Sequence, residues 1–507
     1  MQFIVFAAFA IVLSVPDAGP PWTTLTSPVW IWVMVIGQVV AAAAVAARYS
    51  RKVLVRLDRE PAWLPGAQRL LAHGNAVIRV VLIGGFAASV YLTDWVKVVR
   101  GVAVLRPIWG AGELIVLSPF LAAVVGSLMV LYPADRAIRQ VSLEHRLRLS
   151  QPGAHPTWGL RTYLSFMLRH QVLIIFAPMV PIVVMNDFVS PQHFGHAIRQ
   201  ATGLPWADQA VLAVIAGLVF LVAPVMLKWV WHTRRLPPGE LRGRLDGLCR
   251  RVRLTYRDVL IWESDGMVVN AAVMGLFKPV RYVLLSDGLL ETMEDQEIEA
   301  VFGHEAGHVK HLHIHFYLLF AVLSMLIVGG IGELVIRHWP DLLSNRSQTR
   351  DYLQVFAMGF IVILWGLGFG VVSRRFECQA DLFGARSVTP PAGACDQPCL
   401  VHGTALPVPD DPRPTGQPLC ATAASLFAEA LRRIAVLNGI PPEAKSWRHS
   451  SIANRVQLLR RYAVDPDTSA RLERSVLAIK AFLLIATLIG LAIAAWLYWP
   501  PQWRFWG

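Results

Sequence analysis

Uninterrupted apolar runs dominate the hydrophobic pattern. Stretches of about 20 residues, enough to cross a hydrocarbon core about 30 Å thick, lie at 28–48, 77–97, 112–132, 168–186, 209–231, 316–337, 353–373 and 478–499. Each predicts a membrane-spanning helix. A shorter apolar run, 3–15, is expected to be a ninth, retained span. The alternative is a cleaved signal peptide, against which stands the absence of Lys or Arg before it. From about residue 238 the pattern changes. Leu241, Leu245, Leu248, Cys249 and Val252 recur on one helical face, with arginines on the other. Strand-like runs follow at 259–263, 267–274 and 280–286, and Asp265-Gly266 reads as a hairpin turn between the first two. A helix is predicted from Glu294 to His311, its acidic first turn (Glu294, Asp295, Glu297) suited to the positive end of the helix dipole. Another helix begins where the span 353–373 ends and carries Arg374 to Asp381. The Pro- and Gly-rich stretch 387–420 reads as a loop, and helical pattern resumes at 421–437 and 449–463.

Composition sharpens the class. Of 507 residues only 16% are charged and 55% are hydrophobic, with mean hydropathy +0.48; soluble chains average about 25% charged. The expected fold is therefore mainly α, a polytopic membrane protein of eight or nine transmembrane helices with a small α+β domain. The expected organisation is a transmembrane region 1–231, a first part of the soluble domain 232–315, a transmembrane hairpin 316–373, a second part 374–470, and a last span 478–499. The formal charge of +13 does not indicate nucleic acid, because no aromatic-plus-basic module accompanies it. Lys and Arg instead gather in alternate loops, as in 49–76 (Arg51, Lys52, Arg56, Arg59, Arg69) and 133–167 (Arg136, Arg139, Arg146, Arg148, Arg161), with a further cluster from Arg234 to Arg257. By the positive-inside rule these face the cytoplasm. That orientation puts both parts of the soluble domain inside, where the five cysteines are expected to stay reduced.

The chemistry centres on His304-Glu305-Ala306-Gly307-His308. Two histidines four apart on a helix point the same way, so both can reach one metal ion. Glu305 is then placed to take a proton from an attacking water and later deliver it to the leaving amine. A catalytic zinc site needs a third protein ligand. A third histidine six residues after the second is absent, since position 314 is Ile and position 311 is His where that pattern has Gly. Glu377 on the later helix fits instead, with Asp381 one turn on as a residue that orients a ligand. The two motifs flank one membrane hairpin and so share a membrane face. His311, His313 and His315 are expected to be interfacial side chains rather than ligands.

The motifs His-Glu-Ala-Gly-His at 304–308 and Glu-Cys-Gln-Ala-Asp at 377–381, the run Asn270 to Gly275, and His449 followed by Arg455 resemble, in order, those of the M48 metallopeptidases. That family includes the HtpX-type heat-shock proteases and the Ste24-type CAAX-processing proteases. The resemblance covers about residues 238–463. It implies a gluzincin-type peptidase domain with one zinc ion per chain. It further implies that Asn270 lies on an edge strand that binds substrate backbone, that His449 stabilises the oxyanion, and that Arg455 supports the site. Ser450 stands where the family usually has Pro, and the chain carries more spans than the HtpX type.

The expected function is a zinc metalloendopeptidase acting on membrane or membrane-proximal proteins in quality control, in a bacterial inner membrane with its catalytic domain facing the cytoplasm. Protein or peptide substrates and the lipid bilayer are the expected partners. The alternatives are a CAAX-type processing protease, a non-catalytic scaffold derived from a protease, and a transporter; the intact Glu305 argues against the scaffold. Cys395, Cys399, His402 and Cys420 read as scattered thiols in a loop, with a second, structural zinc site as the alternative, because their spacing matches no standard finger.

Overall fold

The structure, a computed structural model, describes residues 2–15, 23, 25–105, 107–148, 158–190, 193–204, 206–266, 268–338, 359–360, 363–395, 398–403, 418–444 and 450–498. The chain divides into two compact units, Met1–Thr233 and Arg234–Gly507.

The first unit is helical. Its members are α1 (Gln2–Ser14), α2 (Pro28–Arg59), α3 (Leu64–Leu92), α4 (Trp95–Arg100), α5 (Ala111–Val116), α6 (Ser118–Arg148), α7 (Leu160–Leu168), α8 (Ile174–Phe188), α9 (Gly195–Thr202) and α10 (Ala207–Val230). Helices α2, α3 and α6 pack side by side. The segment 49–76, read from sequence as a loop, is largely helix: α2 carries Arg51, Lys52, Arg56 and Arg59 on turns that continue past its apolar part. Long basic side chains allow this, since their stems lie along the helix while the charged heads reach polar surroundings.

Among the described residues, seven helices are long and apolar enough to cross a membrane: Pro28–Arg59, Leu64–Leu92, Ala111–Val141, Leu160–Phe188, Ala207–Val230, His313–Val335 and Pro466–Leu497. The chain is thus a polytopic, mainly α-helical membrane protein. The expected span 77–97 ends early, at Leu92, where Thr93 turns extended. Eight of the 21 residues of the expected span 353–373 lie outside the described residues; its described end passes through one π-helical turn, Trp365–Phe369, into the helix that starts at Gly370.

In the second unit, β1 (Thr233–Arg235), α11 (Glu240–Val252), β2 (Asp258–Trp262), β3 (Ala271–Met274), β4 (Tyr282–Ser286), α12 (Asp287–Thr292), α13 (Asp295–Lys310), α14 (His313–His338), α15 (Gly370–Ser387), α16 (Ala421–Leu437), α17 (Ile452–Val464) and α18 (Pro466–Tyr498) follow in order. The sheet runs β1-β2-β4-β3. β4 pairs parallel with β2 and antiparallel with β3. The expected hairpin between the first two strand-like runs is therefore not formed. All five β4 residues are buried, and so continuous an apolar run takes a central place, separating β2 from β3. The Asp265-Gly266 turn is real: both residues have positive φ, and Asp287 holds it by accepting from Ser264 N–H at 2.8 Å.

One core lies between the sheet, α11 and α13, around Val259, Val283, Leu285 and Phe302. A second joins α15, α16 and α17 to the ends of α14 and α18, around Phe376, Phe427 and Leu459.

Candidate metal centre

Helix α13 starts from a capping box in which Glu294 and Glu297 each accept from the other's backbone N–H. Arg433 of α16 donates to Glu297 at 2.8 Å and pins that end. From this fixed start, one turn of helix brings His304 and His308 to a common face, with their Nε2 atoms 3.2 Å apart.

Helix α15 crosses that face at very short range because glycine clears its way. A Cβ at Gly384 would lie 2.8 Å from His304 N, and one at Gly307 would lie 3.1 Å from Ala380 Cα. The approach delivers Glu377, whose Oε2 is 3.7 Å from His304 Nε2 and whose Oε1 is 3.6 Å from His308 Nε2. All three donor atoms fall within 4.8 Å of one another. Ligands about 2.0–2.2 Å from a tetrahedral centre lie about 3.3–3.6 Å apart, so two nitrogens and a carboxylate at these spacings fit one metal ion.

Both imidazoles are held from behind. His304 Nδ1 lies 2.9 Å from Asp381 Oδ1. Arg455 of α17 donates to Asp381 through both Nε (2.8 Å) and Nη2, and both residues are buried. His308 Nδ1 lies 2.9 Å from His313 Nδ1, and His313 Nε2 lies 2.9 Å from Gln379 Oε1. That oxygen also accepts from Lys480 Nζ at 3.3 Å. The donor sequence is self-consistent. If the Nε2 lone pairs face a metal, each Nδ1 carries the proton; His304 donates to Asp381, His308 donates to His313, and His313 donates to Gln379.

His313 thus departs from the interfacial role read from sequence: it is wholly buried. The cause is Leu312, whose φ of 57° reverses the chain after α13 and swings the next residue back toward His308. A non-glycine residue there costs about 1–2 kcal/mol. The His311 ring stacks on that of His313, centroids 5.8 Å apart, and lies beside Phe383, while the His315 ring lies beside Phe277.

Glu305, next to His304, reaches the sheet. Its Oε2 accepts from Val273 N–H at 3.2 Å. Ser286 N–H donates to Asn270 O, so alternate β3 residues turn their N–H groups to the open edge of the sheet, and Glu305 stands at that edge. Asn270 is exposed just before β3. His449 lies outside the described residues.

The family model for Peptidase family M48 matches residues 237–460. This stretch is similar to the M48 peptidases. Relatives carry the same signal. The chain is 28% identical over 195 residues to a CAAX prenyl protease 1 homolog of Arabidopsis thaliana (36% of this chain, 44% of that protein). It is 28% identical over 204 residues to a Protease HtpX homolog of Aeropyrum pernix (37% and 62%), and 23% identical over 250 residues to one of Bordetella petrii (45% and 78%). The chain therefore spans about half the length of the first two. It also overlaps the crystal structure of S. mikatae Ste24p at 14% identity and TM-score 0.47, covering 85% of this chain and 99% of that one, a likeness too loose to carry an argument.

Burial sets the electrostatics of the site. It raises the Glu305 carboxyl to about 7, with Glu377 pushing the same way against His304. It lowers His308 to about 3, with His304 beside it adding to the effect. His304 is buried too, yet the hydrogen bond and charge of Asp381 turn its net shift upward. Asp381 is held below the usual carboxylate range, because Arg455 outweighs its burial.

Proposed function

We propose that this chain is a zinc-dependent metalloendopeptidase of the membrane, cutting protein or peptide substrates at a site on the cytoplasmic face of a bacterial inner membrane. The observation that carries the reading is the convergence of His304, His308 and Glu377 from two helices, with Glu305 next to His304 on the same turn. When bound, zinc supplies Lewis-acid polarisation of the scissile carbonyl and of water. The rest belongs to the chain. Glu305, its carboxyl held near 7 by burial, accepts a proton from the attacking water and returns it to the leaving amine at neutral pH. The outward β3 edge, beginning at Asn270, takes substrate backbone by strand addition. His449 serves as oxyanion donor, and Arg455 acts through Asp381 on His304. The catalytic domain is assembled from 232–315 and 374–470 around the hairpin 316–373.

Comparison of membrane proteomes from cells carrying the active enzyme and its Glu305→Gln variant tests the reading. Substrates in quality control would accumulate as full-length membrane proteins in the variant; an unchanged proteome would reject it. Metal analysis tests the site. Glu377→Ala leaves two of three ligands and should strip the peptidase site of its zinc. His313→Phe keeps the bulk but cannot accept from His308, so zinc affinity should fall about 10–100-fold, measured by competition with a chelator. An unchanged affinity would reduce His313 to a packing residue.

Topology is checked by labelling. Glu263 and Glu429 have exposed side chains in the two halves of the domain. Cysteines placed at either position, in a background lacking the native five, should react with an impermeant reagent only after the cytoplasmic side is opened. Opposite sidedness of the two would rule out Glu377 as a partner of His304.

A further inference from the structure

Four more donors converge at the N-terminus of α16. Cys395, Cys399, His402 and Cys420 each offer one ligand atom, and the four atoms lie within 4.8 Å of one another. Cys420 Sγ is 3.8 Å from Cys395 Sγ and 3.8 Å from His402 Nδ1. Sulfurs about 2.3 Å from a tetrahedral ion stand about 3.8 Å apart, whereas a disulfide holds them at about 2.05 Å. None of the five cysteines forms a disulfide. We propose that these side chains are a structural Cys3His zinc site, separate from the peptidase centre.

The donors come from two stretches of chain. Cys395, Cys399 and His402 lie in the irregular segment after α15, and Cys420 is the N-cap residue of α16. Cys399 and Cys420 are buried against Ala423, with Val388 and Ala421 packed around them. Four protein ligands close a tetrahedral shell and leave no position for water, the mark of a structural rather than a catalytic ion. Thiolates select zinc over magnesium or calcium. Binding releases the three thiol protons to solvent as three S–metal bonds form, and with a neutral imidazole the loaded site carries a net charge of −1.

The site has work to do at this place. Among the described residues between α15 and α16, the regular structure is one 3-10 turn, Ala392–Ala394, and ordering such irregular chain costs conformational entropy that an ion can offset. An ion held by both stretches fixes the segment and the first turn of α16 together. Helix α16 packs on α13, and its Phe427 ring lies 6.2 Å from the ring of His304.

The test uses the full chain in detergent under reducing conditions. Metal analysis should find two zinc ions per chain, one surviving in His304→Ala/Glu377→Ala and the other in Cys399→Ser/Cys420→Ser. Cobalt exchanged into His304→Ala/Glu377→Ala should show thiolate-to-cobalt charge-transfer absorption, because that variant retains only the cysteine site. If the cysteine variant does not fold, this spectrum decides alone. Zinc that vanishes entirely from His304→Ala/Glu377→Ala, with no thiolate band in its cobalt-treated form, overturns the proposal while leaving the peptidase reading intact. A failure of the peptidase reading gives the opposite pattern: one zinc per chain, insensitive to His304 and Glu377.

Discussion

Glu305→Gln should abolish peptide cleavage, with kcat falling by about 10²–10⁴, while zinc content and thermal stability stay at the wild-type level. The geometry separates these effects. The one protein hydrogen bond described for the carboxylate is accepted from Val273 N–H, and a glutamine oxygen accepts it equally well. No metal ligand is changed. The amide cannot take the proton of the attacking water, so only the chemistry is lost. Turnover of a quenched peptide by purified wild type and variant measures this. Cleavage by Glu305→Gln within tenfold of wild type would remove Glu305 from the mechanism.

The largest structural effect is expected at Arg455. Its guanidinium binds both oxygens of Asp381 in a fully buried pair. Arg455→Leu leaves a carboxylate without its cation, at a cost of about 3–5 kcal/mol. The unfolding midpoint of the solubilised chain should fall, and zinc binding should weaken because Asp381 no longer orients His304. Adding Asp381→Asn should recover most of the lost stability, since the stranded charge is gone, but not the zinc affinity, since the amide orients the imidazole poorly. A single variant that melts like wild type would show that the pair contributes nothing.

The helices of the site were legible for local reasons. Histidines four apart need only a helix to converge, and the acidic start at Glu294 marked where that helix begins. Glu377 followed from the need for a third ligand on the same membrane face. The missed residues depend on tertiary geometry. His313 reaches His308 only because Leu312 takes a left-handed conformation, which leucine does not advertise. Gln379 sits within the motif Glu-Cys-Gln-Ala-Asp, but nothing in its type says that it accepts a hydrogen bond from His313. The strand order was misread because sequence adjacency suggested a hairpin, while the burial of β4 put that strand between the other two. Cys420 lies 18 residues from His402, so the four-donor cluster stood only as the lesser reading of the sequence, and the fold brings the donors together at a helix cap.

One consequence follows from the position of Glu305 at the open edge of β3. Under the proposed function, a substrate strand laid along that edge would lie beside the proposed proton carrier, Glu305, held by main-chain groups present in every peptide. Its possible frames are quantised: a slide by one residue presents the opposite face of every side chain and the wrong set of amides, so allowed positions recur in steps of two. Under the proposed function, main-chain pairing weighs more than side-chain identity, and a library of peptides varied in side chain but fixed in length should be cut in the same frame.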